Sequence, residues 1–498
     1  MTTALVLAGH GSHISANTAA IVWETVDALR RLNVADEVTA AFWKEMPSFA
    51  TVFDGLEASD ITVVPLFTAQ GYFTRTVIPA EMQIPERQSG IDPRLEHDRK
   101  RGLSTRTNLK RINLADYRRD ETHPSRPQTG RETDTNLKRI SVPSPSDPPP
   151  QPARKIRYTR TLGEHRRISE IVRRRVDEAI RLSGAARDQI SVAVIGHSTR
   201  RNPDSRKATE AQAMLLRAST PVREVVAVYL DDTPSIAEIY TLTSAPVVIA
   251  VPYFLAAGSH TTLDVPRALG LDENATGGSV EGRTVIYTPP LGLVDEMVDM
   301  VLDLAHEAGA TLNELGAHSE WDGFPRAGRE TAERLLDAAP AQFGQLWITR
   351  EAVCHMSDAG TSRLRPCETP GALRSILRGN PFRPLATRRD LPTGWQVTID
   401  GAARLQAVIE TAYPGVLGTS QVVLREGMNP GAWDALIARQ TGQYKAAAEF
   451  SPAQQANITM SVCGLCVQKP AWAGESDGSL LCREPCNVWL SAAIRDDD

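Results

Sequence analysis

Short apolar runs alternating with amphipathic stretches set the frame of this chain. Residues 3–8 (TALVLA) are continuously apolar, the pattern of a central parallel strand covered on both faces. From 17 to 32 the apolar positions Ile21, Val22, Val26, Leu29 and Leu32 recur at helical spacing. Further strands are expected at 38–43 and 61–67, with Ser48 placed to cap a helix between them. Strand, helix, strand, helix, strand is the order of a doubly wound α/β fold, whose ligands gather beyond the carboxyl ends of the strands. The order then returns. A strand is expected at 190–197, a helix at 205–218 and strands at 224–230 and 284–287. Another strand ends near 253–254, and a last helix runs through 304.

The return is visible in the residues themselves. Gly9-His10 recurs as Gly196-His197, an offset of 187 (197 − 10). The same offset lays Glu45-Met46-Pro47-Ser48 on Asp232-Thr233-Pro234-Ser235, and Pro65, Gly71 and Pro79 on Pro252, Gly258 and Pro266. Three separated matches at one offset mark a duplicated domain. The expected architecture is α/β: two duplicated doubly wound lobes at 1–182 and 188–308, then a Cys-rich α/β or α-rich domain at 310–498. The first copy is the longer, and its excess, about 88–154, falls between its third and fourth strands. That stretch is basic, rich in Thr, Pro and Ser, and poor in large apolar residues, so it is expected to be disordered.

Composition narrows the function classes. Among 498 residues, 41% are hydrophobic and 23% charged, as in soluble globular proteins. A net charge of −5 argues against a general binder of nucleic acid or anionic membranes. No apolar run reaches the ~20 residues of a membrane helix, and the first residues lack the basic flank of a signal peptide. A cytoplasmic protein is expected.

In the second copy His197, Asp232 and His260 follow three strands of one sheet. Two imidazoles and a carboxylate suit a borderline divalent cation such as Fe²⁺, Co²⁺, Ni²⁺ or Zn²⁺, and can also accept protons. The first copy has His10 and Glu45 at the matching positions, but Phe73 at the third. A structural role for these residues is the bland alternative; it leaves unexplained why three polar positions keep register across a duplication.

These motifs, Ala8-Gly9-His10-Gly11-Ser12, Glu45-Met46-Pro47-Ser48 and the Pro65-Leu66-Phe67…Gly71 turn with their second-half partners, resemble the sirohydrochlorin chelatases. That family is the cobalt- or iron-inserting branch of the class II chelatase fold, related to the protoporphyrin ferrochelatases. The resemblance covers residues 1–305 without the insertion. It implies two similar lobes around a tetrapyrrole cleft, and ATP-independent insertion of Fe²⁺ or Co²⁺ into sirohydrochlorin for sirohaem or cobalamin. It places catalytic residues at His10, Glu45, His197, Asp232 and His260, with the metal on His197, His260 and His10, the last facing the other two across the cleft. The macrocycle's carboxylates would meet Arg75, Arg200, Arg201 or Arg267, and upstream enzymes that make sirohydrochlorin are prospective partners. A catalytically inactive tetrapyrrole or metal carrier is the competing reading, raised by Phe73 and the insertion.

Near the end, Cys463-Gly464-Leu465-Cys466 and Cys482-Arg483-Glu484-Pro485-Cys486 give CxxC and CxxxC. Four thiolates so spaced suit a tetrahedral zinc or an iron–sulfur cluster. Pro485 and the iron–tetrapyrrole context favour [4Fe–4S] over Zn²⁺, and the tail resembles an iron–sulfur extension of some longer chelatases. Cys354 and Cys367 lack partner pairs and are expected in the core. Protein purified anaerobically should carry iron and acid-labile sulfide, and Cys463→Ser should lower both. One equivalent of zinc without iron, after iron-replete expression, would overturn the cluster and leave a four-thiolate site.

Overall fold

The computed structural model describes residues 2–11, 17–43, 45–71, 73–84, 154–198, 203–292, 294–378 and 391–418, with a few positions between 451 and 457. The expected insertion (Arg154 apart), Arg200, Arg201 and the four clustered cysteines lie outside the described residues.

The first half runs β1 (Thr3–Gly9), α1 (Asn17–Arg31), β2 (Glu37–Phe42), β3 (Asp60–Pro65), α2 (Ile78–Glu81), β4 (Lys155–Tyr158) and α3 (Arg167–Ser183). The second runs β5 (Ile190–Gly196), α4 (Pro203–Ser219), β6 (Glu224–Tyr229), α5 (Ile239–Leu242) and β7 (Val247–Pro252). It closes with α6 (Val265–Ala268), β8 (Gly277–Val280), β9 (Arg283–Tyr287) and α7 (Val294–Glu307). The sheets have the orders β2-β1-β3-β4 and β6-β5-β7-β9-β8, parallel except for the edge strand β8. Their registers coincide under the duplication: Gly9 pairs Phe42 as Gly196 pairs Tyr229, and Ala8 pairs Pro65 as Ile195 pairs Pro252. A close backbone approach repeats as well. A Cβ on Gly163 would stand 1.9 Å from the Thr68 carbonyl oxygen, and one on Gly292 would stand 2.3 Å from that of Leu255. Only glycine fits either place.

Both faces of each sheet are buried, which is why the strands read as apolar runs rather than alternating ones. Along β1, Leu5 and Leu7 face one core while Ala4, Val6 and Ala8 face another. The first of these cores is shared: it also holds Val192 and Val194 of β5 and Ile249 and Val251 of β7. The halves exchange their last helices. α3 buries Ile168, Ile171, Val172, Val176, Ala179 and Ile180 and packs on β7 of the other half. α7 packs on α1 and β3 of the first half. Arg167–Asp299 and Arg174–Glu296 pairs join these two helices along their exposed edges. Such surface pairs are worth ~0–1 kcal/mol, so the apolar face decides the packing.

The expected Ser48 cap is not formed. Ser48 opens a turn, accepting the Val52 N–H at 2.9 Å, and the next element is the short 3-10 turn Val52–Gly55 behind Thr51. In the second copy the equivalent Ser235 does begin a helix, its own N–H donating to Glu238 at 2.5 Å.

A third unit follows: α8 (Arg329–Asp337), β10 (Ala341–Phe343), β11 (Leu346–Ile348), β12 (Ala352–His355), β13 (Arg365–Pro366), α9 (Pro370–Arg378), β14 (Trp395–Thr398) and α10 (Ala402–Ala412). Its sheet, β10-β11-β12-β14-β13, is antiparallel except for β13–β14, and Cys354 and Cys367 are buried thiols beside β14. The unit docks on α1 of the first lobe. Arg374 pairs with Asp27, which also holds Arg30 at 3.3 Å, and the Arg30 guanidinium lies 3.5 Å over the Phe324 ring. Removing one member of such a buried set costs about 3–5 kcal/mol, because the partner is left charged and dry. Among the described residues no helix is long and apolar enough to cross a membrane.

Glu410 is 5% exposed on α10, and burial lifts its carboxyl from 4.5 to about 7, against the pull of the Gly415 and Leu417 N–H groups and of Arg30. An acid whose pKa is higher folded than unfolded costs nothing while both states are protonated. It destabilises progressively as pH rises from the unfolded to the folded value, by up to about 3 kcal/mol. Glu410→Gln should therefore leave Tm nearly unchanged at pH 4.5 and raise it at pH 8. Equal shifts at both values would remove Glu410 as the titrating group.

Candidate metal-exchange site between the lobes

The carboxyl ends of the two sheets meet along a seam. Tyr253, just past β7, donates its hydroxyl to the Thr68 carbonyl of the first half at 3.2 Å. A Cβ on Gly258 would stand 2.8 Å from Thr18 Oγ1, and Arg75 pairs with Asp204 at 3.2 Å. The turn that carries Gly258 and His260 therefore lies on this seam.

In the second half the rings of His197 and His260 meet edge to face, centroids 5.6 Å apart. His197 follows β5; His260 opens the π-helical turn His260–Asp264 that leads into α6. Each ring has a carboxylate on one nitrogen. Asp264 Oδ2 lies 2.7 Å from His260 Nδ1, and Asp231 Oδ2 lies 3.2 Å from His197 Nε2. A carboxylate beside a ring nitrogen puts the proton there. That leaves the lone pairs of His260 Nε2 and His197 Nδ1 to bind a cation. Partial burial, aided by His260, holds His197 below its ordinary value against the pull of Asp231, so the neutral imidazole predominates near pH 7. Among the described residues, no set of three His, Cys, Asp or Glu side chains is gathered at metal-ligating distance.

Asp232 lies elsewhere than expected. Its carboxylate accepts the Thr233 N–H at 2.8 Å, the Ser198 hydroxyl at 2.9 Å and Arg206 at 3.3 Å. Those three contacts lower it from the usual carboxylate range, as a brace on the residue after His197. In the first half Glu45 lies against the matching turn: a Cβ on Gly11 would stand 3.0 Å from Glu45 Cγ and 3.2 Å from Oε1. Gly11 and Ser198 are equivalent positions, so the acid supports the histidine turn in both lobes.

The first half keeps the ring pair and changes its chemistry. His10 packs edge to face with Phe73 at 5.2 Å, and Phe73 in turn meets Trp43 and Phe67 at 5.8 and 6.0 Å. Phe73 opens the π-helical turn Phe73–Val77, the counterpart of His260–Asp264. Asp231 and Asp264 correspond to Lys44 and Val77. One lobe thus carries two carboxylate–imidazole pairs where the other has a mainly apolar wall around a single histidine. His10 donates Nδ1–H to the Gly11 carbonyl at 2.9 Å, so its Nε2 is the accepting nitrogen. Of the arginines expected to meet carboxylates, Arg75 pairs with Asp204, and Arg267 with Glu273 at 2.6 Å. Asp231 and Asp264 were missed in the sequence. The i,i+4 spacing of His260 and Asp264 was the available signal, once the turn is known to be helical.

The fold and this site define a two-lobed chelatase-type protein, and comparison with known proteins agrees. The CbiX family profile matches residues 4–113 and 191–308, and the DR2241 stabilising domain matches 329–422. A probable sirohydrochlorin cobaltochelatase of Halobacterium salinarum is 30% identical over 318 residues, 62% of this chain and 93% of its own. A sirohydrochlorin cobaltochelatase of Methanosarcina barkeri is 30% identical over 127 residues, 24% of this chain and 98% of its own. In fold, the chain is similar to DR2241 from Deinococcus radiodurans, described as a multi-domain protein with structural similarity to chelatases and two additional novel domains. The TM-score is 0.67 at 22% identity, with 99% of both chains covered. The chain belongs to the CbiX family of sirohydrochlorin chelatases.

The carboxylate contacts set the tautomers. Imidazole ¹⁵N spectra at neutral pH should show His260 protonated at Nδ1 and His197 at Nε2, and Asp264→Val should abolish the preference of His260 alone. A His260 protonated at Nε2 in the unaltered protein would contradict the geometry.

Proposed function

We propose that this protein inserts a divalent metal, Co²⁺ or Fe²⁺, into sirohydrochlorin without nucleotide hydrolysis. The observation that carries the reading is the His197–His260 pair, each ring backed by its own carboxylate, at the seam of a duplicated fold. The names borne by the relatives make cobalt the first metal to test, while the ligand set suits iron equally.

A macrocycle accepts a divalent metal only after its two inner N–H protons leave. His197 and His260 each present one ring nitrogen to the incoming cation, and two imidazole nitrogens release it more readily than thiolates. Asp231 and Asp264 keep both rings in register and add negative charge that draws a cation to this lobe. The wall of Phe67, Phe73 and Trp43 offers the macrocycle an apolar face, and Nε2 of His10 beside it is placed to take one pyrrole proton, the other leaving to solvent. Asp232 and Glu45 act through the turns they brace. The Cys463, Cys466, Cys482 and Cys486 centre is assigned to no step, because insertion transfers no net electrons.

Purified protein with sirohydrochlorin and Co²⁺, or anaerobically with Fe²⁺, should form the metallated product. His197→Ala and His260→Ala should each slow insertion by ~100-fold or more and His10→Ala by about tenfold, with Tm little changed. No metallation by the unaltered protein with either metal would sink the reading. Loss confined to His10→Ala would move the metal to the first lobe.

A further inference from the structure

The two acid loops differ in what covers them. In the first lobe Pro47 is buried and Glu45 is 2% exposed, whereas in the second the matching Pro234 is half-buried and the Asp232 side chain is 13% exposed. The third unit supplies that cover. After α10 the chain turns at Gly415, whose φ of 77° lies in the left-handed region; a Cβ there would stand 3.1 Å from both Cβ and Cγ of Pro47. Three residues on, a Cβ on Gly418 would stand 2.5 Å from the Gly55 Cα, at the end of the same loop. Ala327 N–H also donates to the Gly55 carbonyl at 3.1 Å.

The turn is pinned from behind and the loop from within. Gly415 N–H donates to Glu410 Oε2 at 2.8 Å, and the Tyr413 hydroxyl accepts the Gln345 N–H at 3.0 Å. On the lobe side the Pro47 carbonyl accepts the Phe42 N–H at 2.8 Å, tying the loop to the end of β2. Glu45 then packs against Gly11, next to His10. A path of contacts runs from Glu410 through Gly415 to Pro47, continues along the chain to Glu45, and passes by Gly11 to His10.

We propose that residues 410–418 are a positioning element: they press the Glu45 loop against the His10 turn and so fix His10 as proton acceptor. This role rests on the chelatase reading above. Gly415 is its contact point and touches no substrate.

The test is a double-mutant cycle with an exchange measurement beside it. Gly415→Ala should lower kcat on the order of tenfold with KM for sirohydrochlorin unchanged, as expected when a reacting group is misplaced by a fraction of an ångström. In a Glu45→Gln background the same change should cost nothing further, since both act through one contact. Gly360→Ala is the control for backbone strain: φ is 81° there and a Cβ meets nothing within 4 Å, so kcat should stay that of the unaltered protein. Amide exchange over residues 42–49 should quicken in Gly415→Ala and not in Gly360→Ala. If Gly415→Ala does not fold, Pro47→Ala removes the contact from the lobe side and is read the same way. Losses that multiply in the cycle, unchanged exchange over 42–49, or an equal kcat loss in Gly360→Ala would overturn the proposal. An inactive unaltered protein would overturn the chelatase reading instead, and the exchange comparison would still decide this one.

Discussion

Each half of the duplication leaves one face of its sheet bare until the last helix of the other half arrives. α3 closes the second sheet and α7 the first, around a single apolar core that contains strands of both. Burial at ~25 cal/mol per Å² over so continuous a surface outweighs any of the ion pairs along its rim. This exchange is what holds the carboxyl ends of the two sheets face to face. The seam, and with it every residue argued to act in metal transfer, is a by-product of how the core is completed.

Within that frame the two lobes have kept one geometry and divided the chemistry. The edge-to-face ring pair, the π-helical turn and the acid behind the histidine turn occur in both. In one lobe the second ring is an imidazole with a carboxylate at its back; in the other it is a phenyl ring among aromatics. One lobe thus offers a polar wall and the other an apolar one.

Much of this was legible in the sequence because a duplication carries its own control. Gly9-His10 and Gly196-His197, or the two Pro…Gly…Pro turns, identify strand ends without any other chain for comparison. The residues that escaped are those whose role depends on local geometry. Asp232 looked like the site carboxylate, but Ser198, Arg206 and the Thr233 N–H take it up, and its neighbour Asp231 meets His197 instead. One residue along a loop reverses the direction of a side chain, and apolar periodicity says nothing about which way it goes. Ser48 misled for a related reason: its capping chemistry was spent on a turn. The third unit was the least legible part. Its strands are two to four residues long, too short for a period to show, and its docking depends on Asp27 and Arg374, far apart in sequence.

The exchanged helices also say something about what fusion makes available. A half-length chain packed this way completes its core only by pairing with a second copy of itself, and the Methanosarcina barkeri relative is of about that length. In such a symmetric pair every substitution appears twice, so a phenylalanine at the second ring position removes that histidine from both sides at once. Joining the copies into one chain breaks the symmetry without breaking the packing. Phe73 can then replace a histidine in one lobe while His260 persists in the other, and a third unit can lean on one acid loop and leave its twin open. The covalent link between the halves is thus a licence for asymmetry, which a self-paired ancestor could not have acquired one side at a time.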